Sequence, residues 1–416
     1  MRKRLAHLSV AVAILVLVLA LVNPEVTWAT HEIVVGLQCD RTGPVQTIGV
    51  FLCPGFHDYV KLVNKKGGVE GHKIRVIEID HKYEVPLGVE AYERFKQQGA
   101  VSVSLYGTPN VYALTPRLTE DKIPGTSPGF GRADATDGTR FPYVFPIAAS
   151  YWSQATASVK YILDHSKGKK GLKIAFLYYD NPAGREPLPI FEKLAKREGF
   201  ELRTFAVPPP GIEMSAQILD IAQRFKPDWV ITHLFGRSPS VSMKELRRVG
   251  FPMDHVIGFV WGAAEADAEA AGWSTAEGYL GIQFAGVGSD FPILKEIAKM
   301  YRDEGKDPPR EMNSTVYYNR GVLIAALHTE AIRQAIKRFG LPVTGEKVKK
   351  GFESIKGFTL EGLVPPLEIT PNDHEGGGWV RIYQIKGGKW APMTDWFKAY
   401  GDVIQEALKE AAAKGS

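Results

Sequence analysis

One pentapeptide of the chain has the spacing of a hydrolase nucleophile. Residues 125–129 read GTSPG and match the G-x-S-x-G pattern, in which a serine sits on a sharp strand-to-helix turn. In that turn the residue after the serine donates its backbone N–H to the oxyanion, and Pro128 has no N–H to donate. The segment that follows also lacks the features of a helix start. The pattern therefore argues against a serine hydrolase.

The ten histidines show no catalytic or metal-binding spacing. No two of them stand four positions apart, and the chain has no H-E-x-x-H, P-loop or complete G-x-G-x-x-G motif. His81 and His233 follow predicted strands, where a structural histidine is the simpler interpretation and a ligand-binding or general-base histidine the alternative. We therefore expect a protein that is not an enzyme, with no catalytic residue, metal site or cofactor.

The composition is that of a large folded protein with little charge imbalance. The chain has 416 residues, with 51 Lys and Arg against 46 Asp and Glu and a formal charge of +5. A nucleic-acid-binding protein would concentrate basic residues on one face, so no nucleic-acid partner is expected. Two cysteines are too few for a disulfide scaffold or a four-cysteine zinc site.

The first 29 residues differ from the rest of the chain. Basic residues at positions 2–4 precede an apolar run from Leu8 to Val22, and small residues precede a cleavage site after Ala29. This pattern is typical of a secretory signal peptide and predicts a mature protein in the periplasm. The run of about 15 residues is shorter than the roughly 20 that span a bilayer, which disfavours the alternative of an uncleaved anchor.

In an oxidising compartment the two cysteines could pair. Cys39 and Cys53 stand 14 positions apart, a loop whose closure by a disulfide stabilises a fold by about 3 kcal/mol. The alternative is a pair of buried free thiols, which behave as small apolar side chains.

Short β-rich segments alternate with amphipathic segments from Ile33 onward, and this rhythm restarts after residues 143–147. Repeated strand–helix–strand units predict parallel sheets with helices on both faces. The predicted fold class is α/β, with two doubly wound parallel-sheet lobes joined by a three-strand hinge. The predicted domains are a signal peptide over 1–29, lobe one over 30–146 plus 285–360, lobe two over 147–284 plus 361–394, and a C-terminal helix over 395–416.

The hinge is predicted at three crossings between the lobes, near residues 143–147, 279–284 and 360–364. The segments Leu363–Ile369 and Val380–Ile385 are expected to pair as late strands around the glycines 376–378. Ligands of open parallel sheets bind beyond the carboxyl ends of the strands. The loops that follow the strands should therefore line a cleft between the lobes.

Several of these loops carry short motifs in a characteristic order. They are Thr42-Gly43-Pro44, the segment NKKGGVEG at 64–71, Tyr106-Gly107-Thr108, the segment 126–131, and the strand 173–178 with the loop after it. Together they resemble the periplasmic solute-binding proteins of the branched-chain amino acid type, over roughly residues 32–390. Gly-rich strand-end loops also expose backbone N–H groups that can hold a carboxylate.

The resemblance implies a function and a set of binding residues. Proteins of this family have the type I periplasmic binding protein fold and deliver small molecules to the permease and ATPase subunits of ABC importers. The resemblance places Ile48 against the side chain of the ligand. It implies carboxylate binding by the loop that begins at Tyr106 and by the loop at 129–131, through Gly107, Thr108, Gly129, Phe130 and Gly131.

The sequence departs from the family where the ammonium group of an amino acid would bind. The acidic residue expected near position 261 is Trp261, and the tyrosines expected near 183 and 235 are Ala183 and Phe235. Glu265 is close enough in sequence to take over the role of the missing acid. A desolvated ammonium without a carboxylate partner is costly. We therefore expect an aromatic cleft, formed by Tyr106, Phe130, Phe235 and Trp261, for a carboxylate or amide without an amino group, although these rings could instead be core.

The expected mechanism involves closure without catalysis. Ligand docks on lobe one, lobe two closes over it, and the closed form presents a surface to the permease. We expect a monomer. The alternatives are a true branched-chain amino acid receptor, a sensory receptor of the same fold that feeds a signalling protein and, less favoured, a secreted α/β enzyme.

Overall fold

A computed structural model describes residues 32–414, so the predicted signal peptide lies outside the described residues. The strands are β1 Ile33–Cys39, β2 Ile74–Asp80, β3 Ala100–Ser104, β4 Gly125–Thr126, β5 Val144–Phe145, β6 Lys173–Tyr179, β7 Glu201–Val207, β8 Trp229–His233, β9 Val256–Gly258, β10 Leu280–Gln283, β11 Lys356–Phe358, β12 Leu367–Glu368, β13 Arg381–Lys386 and β14 Lys389–Pro392.

Helices follow most of the strands. They are α1 Gln46–Lys65, α2 Val85–Gln97, α3 Thr108–Asp121, α4 Tyr151–His165, α5 Pro182–Arg185, α6 Leu188–Glu198, α7 Ser215–Leu219, α8 Ser238–Arg248, α9 Glu265–Ala271, α10 Trp273–Ala276, α11 Pro292–Asp303, α12 Arg310–Ser314, α13 Val316–Phe339, α14 Gly345–Phe352 and α15 Gly401–Ala413. A π-helical turn, Asp220–Phe225, continues α7, and short 3₁₀ turns span Ala133–Thr136, Met253–His255 and Val260–Gly262. Among the described residues no helix is both long and apolar enough to cross a bilayer.

Two sheets with the same strand order organise the chain. The first has the order β2-β1-β3-β4-β5, and all of its strands are parallel. The second repeats this order as β7-β6-β8-β9-β10 and adds β13 and β14 as antiparallel strands at one edge. The predicted α/β fold with two doubly wound lobes is confirmed.

We call the first sheet with α1–α3 and α11–α14 the first lobe, and the second sheet with α4–α10 and α15 the second lobe. The pattern of buried residues explains both the sheet layer and the helix layer. All seven residues of β1 are buried, as expected for a parallel strand that is covered on both faces. In α11 the buried side chains Ile293, Leu294, Ile297 and Met300 form one apolar stripe, and the helix packs against α1.

The late part of the chain departs from the prediction. The segments 363–369 and 380–385 do not pair with each other. Instead β12 pairs with β11, and β13 lies between β10 and β14. The last helix begins at Gly401 rather than at 395. The glycines 376–378 all have positive φ, so they form a loop that carries the chain away from β12 rather than a hairpin turn. The predicted lobe boundaries remain a proposal.

The predicted crossings lie side by side where the chain passes between the two sheets. The N–H of Gly286, just after β10, donates to the carbonyl of Leu363 over 2.8 Å. The N–H of Ala148, just after β5, donates to the carbonyl of Glu375, also over 2.8 Å. These hydrogen bonds hold neighbouring crossing segments together.

Cys39 and Cys53 form a disulfide, with 6.5 Å between their Cα atoms, and both are fully buried. The bond joins the end of β1 to the second turn of α1. It therefore closes a loop that contains the whole first turn of that helix.

Candidate ligand-binding cleft

A small cavity of about 40 Å³ lies between the lobes, where both sheets present the carboxyl ends of their parallel strands. In sheets of this strand order the switch point lies between the first and third strands, here β1 with β3 and β6 with β8. The lining residues of the cavity are Val45, Ile48, Leu52, Tyr83, Ser104, Leu105, Tyr106, Gly107, Thr108, Pro128, Phe130, Tyr151, Phe235, Trp261 and Ile324.

The loop after β1 and the start of α1 build one side of the cavity. The buried carboxylate of Asp40 accepts hydrogen bonds from the N–H groups of Gly43 and Val45, the latter over 2.9 Å, and so shapes the loop. Val45, Ile48 and Leu52 then follow at intervals of three and four, which places them on one face of the helix. The Tyr106 hydroxyl donates to the carbonyl of Val45 over 3.2 Å and joins this face to the end of β3.

The turn into α3 forms the base of the cavity. Gly107 has φ 88°, and a Cβ at this position would lie 2.3 Å from the Tyr83 ring, so only glycine fits. The first N–H groups of a helix have no acceptor inside it and carry partial positive charge. Pro109 has no N–H, and the N–H groups of Asn110 and Val111 already donate to the carbonyl of Gly107. The Thr108 N–H therefore remains at the start of α3 to hold a carboxylate or an amide oxygen.

Aromatic rings from the second lobe cover the cavity. The Trp261 ring centroid lies 6.0 Å from that of Phe130, and the Phe235 centroid lies 6.3 Å from that of Tyr83, so both pairs bridge the lobes. Tyr151, at the start of α4, is the third lining residue from the second lobe. All but Tyr83 are among the buried residues of the core. The rings therefore serve as lobe packing and as cavity wall at the same time.

Trp261 also ties the lobes together through a hydrogen bond. Its Nε1–H donates to the carbonyl of Gly129 over 2.8 Å, and Gln154 Nε2 donates to the same oxygen over 3.1 Å. Gly129 lies on the first-lobe loop after β4, whereas Trp261 and Gln154 belong to the second lobe. The structure therefore shows the lobes in contact over the cavity.

The 129–131 loop uses its own N–H groups inside the protein. Gly129 N–H donates to the carbonyl of Ile147, Phe130 N–H to that of Ser127, and Gly131 N–H to Thr108 Oγ1, over 3.2, 3.4 and 3.2 Å. Neither Gly129 nor Gly131 is among the lining residues, whereas the Phe130 ring is. With the lobes in contact, a ligand could use these N–H groups only by displacing existing hydrogen bonds. Their carboxylate-binding role stays a prediction.

This architecture is shared with proteins of known structure. A family model described as periplasmic binding protein matches residues 32–389. The chain belongs to the periplasmic binding protein family. A structure of an ABC transporter permease from the Pseudomonas fluorescens group is 36% identical and superposes with a TM-score of 0.85, covering 92% of this chain and 97% of that one.

Two further structures share the fold. One is a branched-chain amino acid ABC transporter protein from Thermus thermophilus with bound valine, 24% identical, with a TM-score of 0.78 over 91% of this chain and 98% of that one. The other is a fatty acid ABC transporter substrate-binding protein from Thermomonospora curvata, 20% identical, with a TM-score of 0.76 over 90% and 94%. The chain is thus a periplasmic binding protein of the branched-chain amino acid type, a family of extracytoplasmic substrate-binding proteins.

In this periplasmic binding protein the cavity lining is uncharged. None of the described residues that line it is Asp, Glu, Lys, Arg or His. Glu265 does not take the place of the missing acid, because its carboxylate accepts the Val316 N–H over 2.7 Å and so caps the start of α13. Burial raises the pKa of Glu265. No acidic side chain in the cavity wall therefore replaces the carboxylate that was expected near position 261.

The two strand-end histidines are buried and lie outside the cavity lining. Burial lowers the pKa of His81 to about 4 and that of His233 to about 3, so both rings are neutral at pH 7. His233 Nε2 lies 3.0 Å from the carbonyl of Ala183, a contact that requires the Nε2–H tautomer. Both rings pack against aromatic neighbours, His81 on Tyr106 and His233 on Tyr151.

Sequence reasoning missed a buried cation behind Trp261. Arg320 of α13 is fully buried, and its guanidinium carbon lies 5.0 Å from the Trp261 ring centroid. It donates to the carbonyl of Val260 over 2.7 Å and to the side chain of Gln283. Desolvation lowers its pKa to about 10, so it remains charged at pH 7. An arginine among apolar residues of a long helix was a signal for such a network, but its partners lie far away in sequence.

Proposed function

We propose that this protein is the substrate-binding receptor of an ABC importer in the periplasm, acting as a monomer. Its ligand is a small carboxylate or amide with an aromatic or aliphatic body and no amino group. The observation that carries the proposal is the uncharged lining of the interlobe cavity, in which aromatic and aliphatic side chains predominate. An ammonium group enclosed there would lose its hydration without gaining a carboxylate partner.

The polar end of such a ligand has a suitable position. The start of α3 offers the Thr108 N–H beside the hydroxyls of Ser104, Thr108 and Tyr151, and all three residues line the cavity. A carboxylate is stabilised by such an N-terminus, and an amide oxygen accepts the same donors. The apolar body then lies between Ile48 and Phe130 of the first lobe and Phe235 and Trp261 of the second.

The mechanism is closure around the hinge without chemistry. The ligand contacts both lobes only when they are closed, so its binding shifts the population toward the closed form. The closed pair of lobes presents one continuous surface, which a permease with its ATPase subunits recognises. This role agrees with the relatives, among which are proteins of ABC transporters for a branched-chain amino acid and for fatty acids.

The test is calorimetry with the purified protein and a panel of leucine, valine, phenylacetate, 4-methylpentanoate and their amides. We expect saturable binding of at least one acid or amide and no heat of binding with leucine or valine. Tight binding of leucine with no response to the acids would overturn the ligand assignment. Product formation from any panel member would overturn the receptor role.

A pair of matched variants locates the binding site. In Gly107→Ala the new Cβ meets the Tyr83 ring at 2.3 Å, so binding should be lost. Gly99→Ala carries the same kind of backbone strain, because φ is 77° there, but has open space around the new Cβ. Equal affinities of the two variants would place the ligand elsewhere.

A further inference from the structure

A second contact between the lobes lies away from the cavity, at Glu186. This residue stands between α5 and α6 of the second lobe, and its carboxylate reaches the first lobe. Oε1 accepts the N–H of Ala133 over 2.6 Å and the hydroxyl of Tyr112 over 3.2 Å. The Trp152 indole N–H donates to the backbone carbonyl of Glu186 over 3.0 Å and fixes the position of its main chain. Glu186 therefore joins the lobes through its side chain.

Among the described residues, no cation forms an ion pair with the carboxylate. Arg132, whose charge acts on Glu186, pairs through two hydrogen bonds of 2.7 Å with Asp134 and lies 3.9 Å over the Phe141 ring centroid. Its charge is therefore matched by Asp134. The titratable groups that face Glu186 are Arg132, Asp134, Tyr112 and Tyr151. The negative charge of Asp134 opposes ionisation of Glu186, whereas the positive charge of Arg132 favours it.

The second carboxylate oxygen is enclosed. Glu186 Oε2 is inaccessible to solvent and has no hydrogen-bond partner among the described residues. A Cβ at Gly131 would lie 1.8 Å from this oxygen, which shows how closely the first-lobe backbone covers it. An ionised oxygen in this position has lost its water without replacement, whereas a neutral carboxyl group loses much less on leaving water.

We propose that Glu186 is a closure residue and that the two lobes take up one proton from solvent at its carboxyl group when they close. When the lobes separate, the carboxyl group returns to water and releases that proton. The inference rests on the hinge motion of the proposed function but not on the identity of the ligand. Glu186 positions the lobes and does not touch the cavity.

The electrostatics give the direction of the effect. In the closed form burial raises the pKa of Glu186 from its ordinary 4.5 to about 8. The closed form then binds more protons than the open form between these two values. The ratio of closed to open protein should fall by up to about tenfold for each unit of rising pH within this window and level off outside it. Closure is therefore favoured by acid and weakened by alkali.

The experiment is small-angle X-ray scattering of the ligand-free mature protein at pH 5.5 and pH 9. We expect a larger radius of gyration at pH 9 for the wild type. Glu186→Gln, which is neutral at every pH, should keep the compact radius at both values. The control is Glu213→Gln at an exposed position of the second lobe, which should behave like the wild type.

A ¹³C carboxyl titration of the wild type reports the same proton directly. Beside the raised signals of the buried Glu265 and Glu375, it should show one further glutamate with a midpoint shifted upward from the ordinary 4.5, and this signal should be absent from Glu186→Gln. A radius independent of pH, an opening of Glu186→Gln equal to that of the wild type, or the same set of shifted carboxyl signals in both proteins would each overturn the proposal. No ligand is added, so a failure of the ligand panel leaves this result intact.

Discussion

The two walls of the cleft are built differently. The first-lobe wall runs from α1 through the end of β3 to the start of α3, with Pro128, Phe130 and Ile324 beside it. It combines aliphatic side chains with the rings of Tyr83, Tyr106 and Phe130. The second-lobe wall consists of three aromatic side chains, Tyr151, Phe235 and Trp261, on separate elements. The first wall can hold and orient a ligand before closure, whereas the second can only cover one that is already bound.

The interactions that hold the two walls in place also differ. The Cys39–Cys53 disulfide closes the loop that carries Val45, Ile48 and Leu52, so the first wall is fixed covalently within one lobe. Trp261 is held by the Arg320 cation behind it and by the carbonyl of Gly129 in the other lobe. The first wall is thus independent of closure, and the second wall is completed by it.

The largest expected effect comes from removing the buried cation. Arg320→Met leaves the carbonyl of Val260 and the side-chain oxygen of Gln283 buried without this donor. Each orphaned buried acceptor costs about 1–3 kcal/mol, so we expect a loss of about 2–6 kcal/mol in the free energy of unfolding. Urea unfolding measures this loss of unfolding free energy.

Arg338→Met is the matched control for that prediction. Arg338 is exposed on the same helix and donates to Ser354 over 3.0 Å, so its loss should stay within about 0.5 kcal/mol. If both variants unfold at the same urea concentration, the Arg320 network does not support the second wall.

The next largest effect concerns the first wall. Replacing Cys39 and Cys53 together by Ala should cost about 3 kcal/mol of stability, as expected for a loop of this length. Because the loop carries three lining residues, the affinity for the ligand found in the calorimetric panel should fall as well, even at temperatures where the variant is folded. Unchanged affinity in a destabilised double variant would show that the first wall forms without the disulfide.

The sequence was informative where a role follows from the position of a strand end. Tyr106, Thr108, Phe235 and Trp261 were predicted at the cleft because parallel strands bring their carboxyl ends together, and all four line the cavity. It could not show that the N–H groups of Gly129 and Gly131 are already bonded, because this depends on the loop conformation. Arg320 was missed because its contact with Trp261 joins residues 59 positions apart.

The pairing predicted for the late strands was wrong because one of the two segments is part of the hinge. The segment 363–369 has the composition of a strand, but only Leu367–Glu368 pairs, with β11. Most of the segment belongs to the crossing between the lobes, where it bonds to the neighbouring crossing at Gly286. Local propensity cannot distinguish an extended hinge segment from a strand.

A smaller effect tests the closing role of the second wall. Trp261→Phe keeps a ring in the cavity but removes the hydrogen bond to Gly129, which is worth about 0.5–1.5 kcal/mol. This bond exists only between closed lobes, so the affinity should fall by about two- to thirteenfold for every ligand. Trp273→Phe, outside the cavity lining in the same lobe, is the control. A loss confined to some ligands would make Trp261 a specificity residue instead.

The smallest expected effect, that of Ile48→Val, tests most directly whether the two walls have different roles. Ile48→Val removes one methylene from the first wall, which is worth about 0.8 kcal/mol of apolar contact, or about fourfold in affinity. A ligand that fits the wild type should bind more weakly, and one longer by a methylene should recover the loss because it fills the new space. Ile74→Val, buried in the same lobe but outside the cavity, should leave both affinities unchanged. Calorimetry with homologous acids measures the ratio. If Ile48→Val weakens both homologues equally, the first wall does not read ligand length, and the division of roles between the walls is wrong.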